Sequence, residues 1–344
     1  MNHDLTPVIL GDGIAGLSAA IRLAARGARP VVVGKDVGQR ATGWIEVVHG
    51  AAARVLDDLQ LGDVLASAPR CTGVWSRWSM DGFILRPSIL DPFGAASIVD
   101  KSDLVDALRQ RATAAGVQIV DACRWTGNRT AAGIIATGRS AATGIARRRE
   151  VAMAVRCREL RLGATDTLIV DAQPDGWWCA LESLGSAMVC FTTDAETVRR
   201  RGGLRRCWER AVDGCDWLPG ELGDETPMVR DATSGFGSGA GEETGPLCVG
   251  DAAWAFDALS GQGLHFAMAS AKAAADAIAD GQPGRYTRWV ETTIAAQSSL
   301  GGDVLSTVRF ADRPYWARRM PPCSLPRPTA HDALRSQLPR LSQY

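Results

Sequence analysis

Gly11, Gly13 and Gly16 stand near the N-terminus at the G-x-G-x-x-G spacing with which a backbone holds a pyrophosphate. The first glycine permits a tight turn and the second lets the phosphates approach the main chain, while the third lets a helix pack closely on a strand. Ile14 and Ala15 complete the turn, where the first amides of the helix face an anion. Other side chains are placed where chemistry is conceivable: Glu46 and His49 ahead of one helical pattern, Asp257 in a turn, His265 early in a long helix, and the adjacent Trp177 and Trp178.

The glycines need a strand before them and a helix after them. Val8-Ile-Leu10 supplies the strand, and Ile14, Leu17, Ile21 and Ala24 or Ala25 recur at helical spacing until Gly27. Pro30-Val-Val-Val33 is a second strand, so the unit reads strand, glycine turn, helix, strand, and the context raises a weak motif to dinucleotide binding. A carboxylate at the end of the second strand ordinarily grips the adenosine ribose. Here that place falls on Gly34-Lys35, and Asp36 is the nearest carboxylate. Either Asp36 reaches the ribose from the following turn or water or backbone serves, and both predict looser binding.

A chain of 344 residues with 46% hydrophobic content can bury a substantial core in one large or two joined domains. Net charge is zero and no basic run alternates with aromatics, which argues against nucleic-acid binding. The nine cysteines lie without C-x-x-C pairs or zinc spacing, as expected of reduced thiols in the cytoplasm, and no metal site is expected. The start of the chain lacks a basic n-region and reads as no signal peptide, and no run approaches a membrane span.

Along the chain, a helix is expected over Ala51–Leu59, followed by short alternating strands bounded by Gly and Pro from Pro69 to Phe93. Asp100-Lys-Ser-Asp103 opens a helix through Leu104 and Leu108, and Val117–Val120 returns to the first sheet. Gly133–Ala136 is a strand that places Thr137 and Gly138 at the carboxyl edge of an open α/β sheet, where ligands bind. Strand-like, tryptophan-bearing runs fill 147–229, and the Gly/Ser-rich stretch from Thr233 to Gly245 reads as a mobile loop. A last strand ends in Gly250-Asp251, and a long helix runs from Gly263 through Ile278. The expected division is a discontinuous nucleotide domain (1–68, 101–146 and 246–282), a substrate domain (69–100 and 147–245), C-terminal helices (283–320) and an extended Pro-rich tail (321–344).

Three stretches in one order carry a resemblance: the glycine turn, Ala136-Thr-Gly-Arg139, and Gly250-Asp-Ala-Ala253 leading to Gly261-Gln-Gly263. The chain resembles the FAD-dependent monooxygenase, reductase and halogenase superfamily. Trp78, Asp91-Pro-Phe-Gly94, Asp175-Gly-Trp-Trp178, Asp257–Gly263 and Tyr315–Arg319 make it most similar to the flavoproteins that oxygenate a tryptophan of a partner protein during maturation of tryptophylquinone enzymes. The resemblance implies an α/β fold in which a glutathione-reductase-like Rossmann domain is interleaved with an antiparallel-sheet substrate domain, followed by a C-terminal helical segment. It departs from the family pattern at Gly34, Lys101, Ala258 and Glu182.

The resemblance also implies roles. FAD would lie against Gly11 to Gly16, Asp36, Lys101, Thr137, Gly138, Gly250 and the Gly261-Gln262-Gly263 turn, with Asp251 on the ribityl chain or pyrophosphate. His265 would stand beside the flavin edge, either as a cation stabilising the reduced ring or as a neutral core imidazole. Glu46 matches an acidic family position, and His49 lies on the same loop. Trp177 and Trp178 alternate across a strand, so one faces the core and the other is available to a substrate cavity. Asp257 would poise a proton donor or orient an indole N–H, or simply cap its turn. The expected activity is hydroxylation of an aromatic substrate, a tryptophan side chain on a partner protein, with NADPH or NADH as a candidate reductant although no second nucleotide fingerprint is present. The alternatives are a small-molecule reductase or halogenase of the same fold, or a cofactor-less descendant that serves as a binding partner. A halogenase would be expected to carry a W-x-W-x-I-P stretch and a channel lysine, and the adjacent Trp177 and Trp178 do not match it.

Overall fold

The computed structural model describes residues 6–34, 44–122, 132–141, 148–160, 162–183, 185–241 and 245–319. From the N-terminus, β1 (Val8–Leu10), α1 (Ile14–Ala25) and β2 (Val31–Gly34) form the expected strand, helix, strand unit. There follow β3 (Ile45–Val48), α2 (Gly50–Asp58), β4 (Gly73–Arg77), β5 (Ile84–Pro87) and β6 (Ser97–Asp100), then α3 (Lys101–Ala114), β7 (Gln118–Asp121) and β8 (Ala132–Ile135). β9 (Glu150–Cys157), β10 (Thr167–Gln173), β11 (Gly176–Ser183) and β12 (Ser186–Asp194) lead through α4 (Ala195–Arg200) and α5 (Leu204–Asp213) to β13 (Met228–Asp231) and β14 (Leu247–Cys248). The chain closes with α6 (Gly263–Ala279), α7 (Pro283–Ser306) and α8 (Pro314–Arg319).

Two sheets of opposite character result. Strands in the order β14-β8-β1-β2-β7 pair in parallel. Their apolar runs, Val31-Val-Val33 among them, suit a sheet covered by helices on both faces. α6 is alanine-rich, and its buried Ala271, Ala274 and Ala275 let it lie close to α1, where Arg22 Nε donates to Asp276 Oδ1 at 2.7 Å. The second sheet runs β13-β9-β12-β11-β10-β4-β5 and is antiparallel except where β4 pairs with β10. β3 and β6 pair as a separate two-stranded ribbon that leads into α2 and α3. Asp100 ends that ribbon and caps α3, accepting from the Ser102 amide at 2.9 Å, which satisfies one of the helix's orphan donors.

The larger sheet has an apolar core on each face. On one, Trp178 meets Phe191, Trp208 and Trp217 at ring separations of 4.8, 5.4 and 6.4 Å. On the other, Trp177 packs with Leu305, Val308, Tyr315 and Trp316, so the C-terminal helices are seated on the sheet by aromatic burial. A fully buried carboxylate, Asp171, sits at the edge of the first core. It accepts from Arg77 Nε and Nη2 at 2.8 Å each, from Trp217 Nε1 at 3.0 Å and from Arg309 Nη2 at 3.1 Å. Paired this completely, a buried charge is tolerated, and it fastens β4 to β10 and to the segment after α7.

The stretch from Thr233, expected as a mobile loop, is ordered over its described part. The Gly235, Ser238 and Gly239 amides donate to the carbonyls of Ala255, Ala252 and Ala253 at 2.8 to 3.0 Å, and Ser234 is fully buried. Glycine-rich composition here serves close backbone approach: a Cβ on Gly237 would fall 2.1 Å from the Ala253 carbonyl oxygen. The expected tail, 321–344, lies outside the described residues.

Candidate active site

The N-termini of α1 and α6 converge at Gly250, which adopts a left-handed conformation; a Cβ there would touch Ala15 of α1 at 3.0 Å and Ala267 of α6 at 3.7 Å. Gly250 is fixed from behind by its amide, which donates to Ser270 Oγ at 2.9 Å. Neither helix has a side-chain cap or an acidic residue in its first turn. Their first amides are therefore left for a ligand, and both helix dipoles favour an anion. Room exists for one: Gly13 and Gly263 have no atom within 4 Å of where a Cβ would stand. Gly11 and Gly16 are needed for packing instead, since a Cβ would lie 2.3 Å from the Ala136 oxygen in one case and 1.9 Å from the Gly11 oxygen in the other. The glycine turn thus fits a dinucleotide pyrophosphate. Thr137 and Gly138 follow β8 at the same sheet edge, and Asp251 lies opposite, 3.4 Å from Arg139 Nη2.

Beside this edge the structure assembles side chains that are far apart in sequence. Gly261 ends the turn before α6 in a left-handed conformation, with His49 Nε2 3.1 Å from the position of a Cβ. His49 occupies the position before the first residue of α2 without a side-chain cap, and the next residue, Gly50, packs on the backbone of Phe93 and Gly94. Asp91 shapes that loop by accepting from the Phe93 amide at 2.8 Å. Burial holds the His49 imidazole below its ordinary range despite the opposing fields of Asp91 and Glu46. His265, in the first turn of α6, is depressed by burial and by the neighbouring His49. Both rings are therefore neutral at pH 7 in the protein alone, and each keeps a lone pair and an N–H to offer. Glu46 is paired with Lys101 Nζ at 3.1 Å, so two of the expected site residues meet each other.

No family model and no curated protein sequence matches the chain. Solved structures do. A peptidyl tryptophan dihydroxylase essential for tryptophylquinone cofactor biogenesis, QhpG, matches with TM-score 0.68 and 24% identity, over 91% of this chain and 78% of that one. The myxobacterial chondrochloren halogenase CndH, an FAD-dependent enzyme, matches with TM-score 0.75 and 18% identity over 98% and 90%. The flavin-dependent brominase Bmp2 matches with TM-score 0.68 and 18% identity over 98% and 91%. The fold is that of the FAD-dependent monooxygenases and halogenases.

Within that fold the remaining expected residues fall in different places. Trp178 is fully buried among core aromatics, and Trp177 is buried on the opposite face, so neither indole stands in open space. Trp177 lies in the cluster that also includes Leu259 of the Asp257–Gly261 turn, and its indole N–H has no partner among the described residues. Trp78 joins that cluster edge-on to Trp316, with ring centroids 5.1 Å apart. Asp257 is fully engaged: Oδ1 accepts from the Leu259 amide at 3.0 Å, and Oδ2 accepts from Arg148 at 2.9 Å and from Arg319. Asp175 is a turn residue held by Arg200 and Arg201. Asp36 lies outside the described residues.

Sequence reading missed the group behind Asp257. Arg319, at the end of α8, pairs with Glu150 of β9 as well as with Asp257, and Tyr315 donates to Glu150 Oε1 at 2.8 Å. Burial raises the Glu150 carboxyl, opposed by Arg319, and burial also raises the Tyr315 phenol well above its usual range. The network ties the C-terminal helix to the turn that aims α6. Its members are separated by up to 169 residues, and no local spacing announces it.

Proposed function

We propose that this protein is an FAD-dependent monooxygenase that hydroxylates an aromatic substrate, a tryptophan side chain presented by a partner protein during quinone cofactor biogenesis. The carrying observation is the meeting of two uncapped helix N-termini at Gly250, beside the open Gly13 and the His49–Gly261 contact. The amides of α1 and the glycine turn would hold the pyrophosphate of FAD, and the Gly261-Gln262-Gly263 turn with α6 would face the isoalloxazine. FAD would supply the activation of oxygen. The chain's own groups bind and orient: the α6 dipole favours negative charge at the ring, and His49 and His265 offer neutral hydrogen-bonding imidazoles. Arg319 and Arg148 hold the Asp257 turn in place, and the packed cluster of Trp78, Trp177 and Trp316 would serve as an apolar wall against water.

A protein substrate is supported by a concentration of exposed apolar residues in one short stretch, Met80, Ile84, Leu85, Ile89 and Leu90, on and around the edge strand β5. Such a patch marks an interaction surface more often than a solvent face. The likeness to QhpG, which modifies a peptidyl tryptophan, points the same way.

The test has two stages. Purified protein should carry a flavin absorption spectrum, with FAD as the released chromophore. The reduced holoenzyme, given oxygen and a tryptophan-bearing protein or peptide, should add one or two oxygen atoms to it by intact mass. A colourless protein that takes up no FAD refutes the flavin reading. Halogenated indole in the presence of bromide or chloride would assign the halogenase chemistry of CndH and Bmp2 instead.

A further inference from the structure

The turn between β10 and β11 carries Asp175, a residue with no part in the proposed flavin site. Its carboxylate accepts from Arg200 Nη2 at 2.6 Å and from Arg201 Nε at 2.7 Å, both at the end of α4. Trp316 donates its indole N–H to the Gln173 carbonyl at 2.7 Å, which seats α8 on the same turn. Where these elements meet there is a pocket of about 440 Å³ lined by four arginines, Arg200, Arg201, Arg210 and Arg313, against the single carboxylate of Asp175, an excess of three positive charges. The excess is not relieved from within the protein. Arg200 and Arg201 share Asp175, and the side chains of Arg210 and Arg313 have no hydrogen-bond or ion-pair partner among the described residues. Asp194 and Glu196, beside the start of α4, are paired with Arg318. The sequence around the pocket adds to the field: residues 199–210 hold six arginines against Glu209 alone, in a chain whose net charge is zero, and Glu209 is taken by Arg205 at 2.6 Å.

We infer that this pocket binds a phosphate group, free or as an ester of a small molecule. Guanidinium groups are planar forks that pair bidentately with phosphate and carboxylate oxygens. Charge decides between the two. One carboxylate would offset one of the three surplus charges, whereas a phosphate monoester brings about −1.5 to −2 and three strong acceptor oxygens. A concave wall of one sign also focuses the field on the space it encloses. Asp175 is a positioning residue, because it fixes Arg200 and Arg201 at the wall, and the unpartnered Arg210 and Arg313 remain for the ligand. The inference stands independently of the flavin reading.

Inorganic phosphate is the probe, titrated by calorimetry into the full chain at fixed ionic strength, with chloride as the control for general screening. One phosphate should bind per chain and raise Tm, and chloride should do neither. Arg210→Gln/Arg313→Gln should weaken phosphate by at least about 10-fold, as expected for lost charge-assisted hydrogen bonds, and each single variant should move in the same direction. In the absence of phosphate the double variant should melt no lower than wild type, because like charges lining one pocket repel; a purely structural role would lower its Tm. Arg206→Gln, on the same helix but outside the pocket, should keep wild-type affinity. Competition by NADPH and not by NADH would assign the phosphate to a dinucleotide, and competition by neither would assign it to free phosphate or another ester; both support the site. Phosphate that binds no better than chloride, or that binds the double variant as tightly as wild type, overturns the inference. So does a polyglutamate peptide that binds where phosphate does not, which would give the pocket to protein carboxylates.

Discussion

Replacing Arg319 by Met tests whether the buried network behind Asp257 holds the C-terminal helix and the α6 turn together. The Arg319 side chain is 3% exposed and Glu150 is 2% exposed, so the substitution strands a carboxylate that has no access to water. Asp257 retains Arg148 at 2.9 Å, whereas Glu150 retains only the Tyr315 hydroxyl as a side-chain partner among the described residues. The cost therefore falls on Glu150. Breaking one partner of a buried pair costs about 3–5 kcal/mol. At an unfolding entropy of about 2.1 cal/mol/K per residue over 344 residues, that corresponds to a Tm lower by roughly 4–7 °C. Adding Glu150→Gln should recover about half of the loss, because a neutral amide is cheaper to bury. The pH dependence has a definite sign. Glu150 is raised in the native state by burial, so the native state binds the proton more tightly than the unfolded chain and stability falls as pH rises through that range. The deficit of Arg319→Met should accordingly shrink as pH is lowered toward the ordinary carboxylate range. Thermal and denaturant unfolding at several pH values measure it. A loss below about 1 kcal/mol, or a Glu150→Gln substitution that recovers nothing, would refute the reasoning.

Two further predictions concern the site and the core. His49 and His265 are both depressed by burial, so the unfolded chain takes up protons that the native imidazoles refuse, and stability should fall as pH drops below about 6.5. His265→Asn should flatten that slope in unfolding curves between pH 7 and pH 5, and an unchanged slope would place the ring in water. In stability measurements Trp178→Ala, in a fully closed aromatic core, should cost about 3–5 kcal/mol. Trp177→Phe should be nearly neutral, because it removes an indole N–H that has no partner among the described residues. A large loss for Trp177→Phe would mean that the N–H is satisfied in solution.

Local pattern was sufficient wherever the physics is local. The glycine spacing, the apolar triplets of β1 and β2 and the 3.6-residue repeat of α1 and α6 depend on neighbours a few residues away, and all were legible. So was the Asp100 cap on α3. The alternation of Trp177 and Trp178 showed that they face opposite ways. It did not show that helices cover both faces, because one cover is α5 and the other arrives from α8, more than 130 residues later. Glycine-rich composition suggested mobility in 233–245, whereas the backbone of 235–239 is bonded to 252–255, since close approach and flexibility call for the same residue.

What only the tertiary structure decided is which charges meet. Lys101 with Glu46, Arg319 with Glu150 and Asp257, and Asp12 with Arg109 are pairs made across elements, and their partners are chosen by the sheet register and by the crossing of helices. Position 34 is the sharpest case. By itself the sequence determined that the strand end carries no acid; only the folded chain places the Asp12 side chain where a side chain at 34 would begin, because a turn and a strand end remote in sequence are brought within van der Waals contact by parallel pairing.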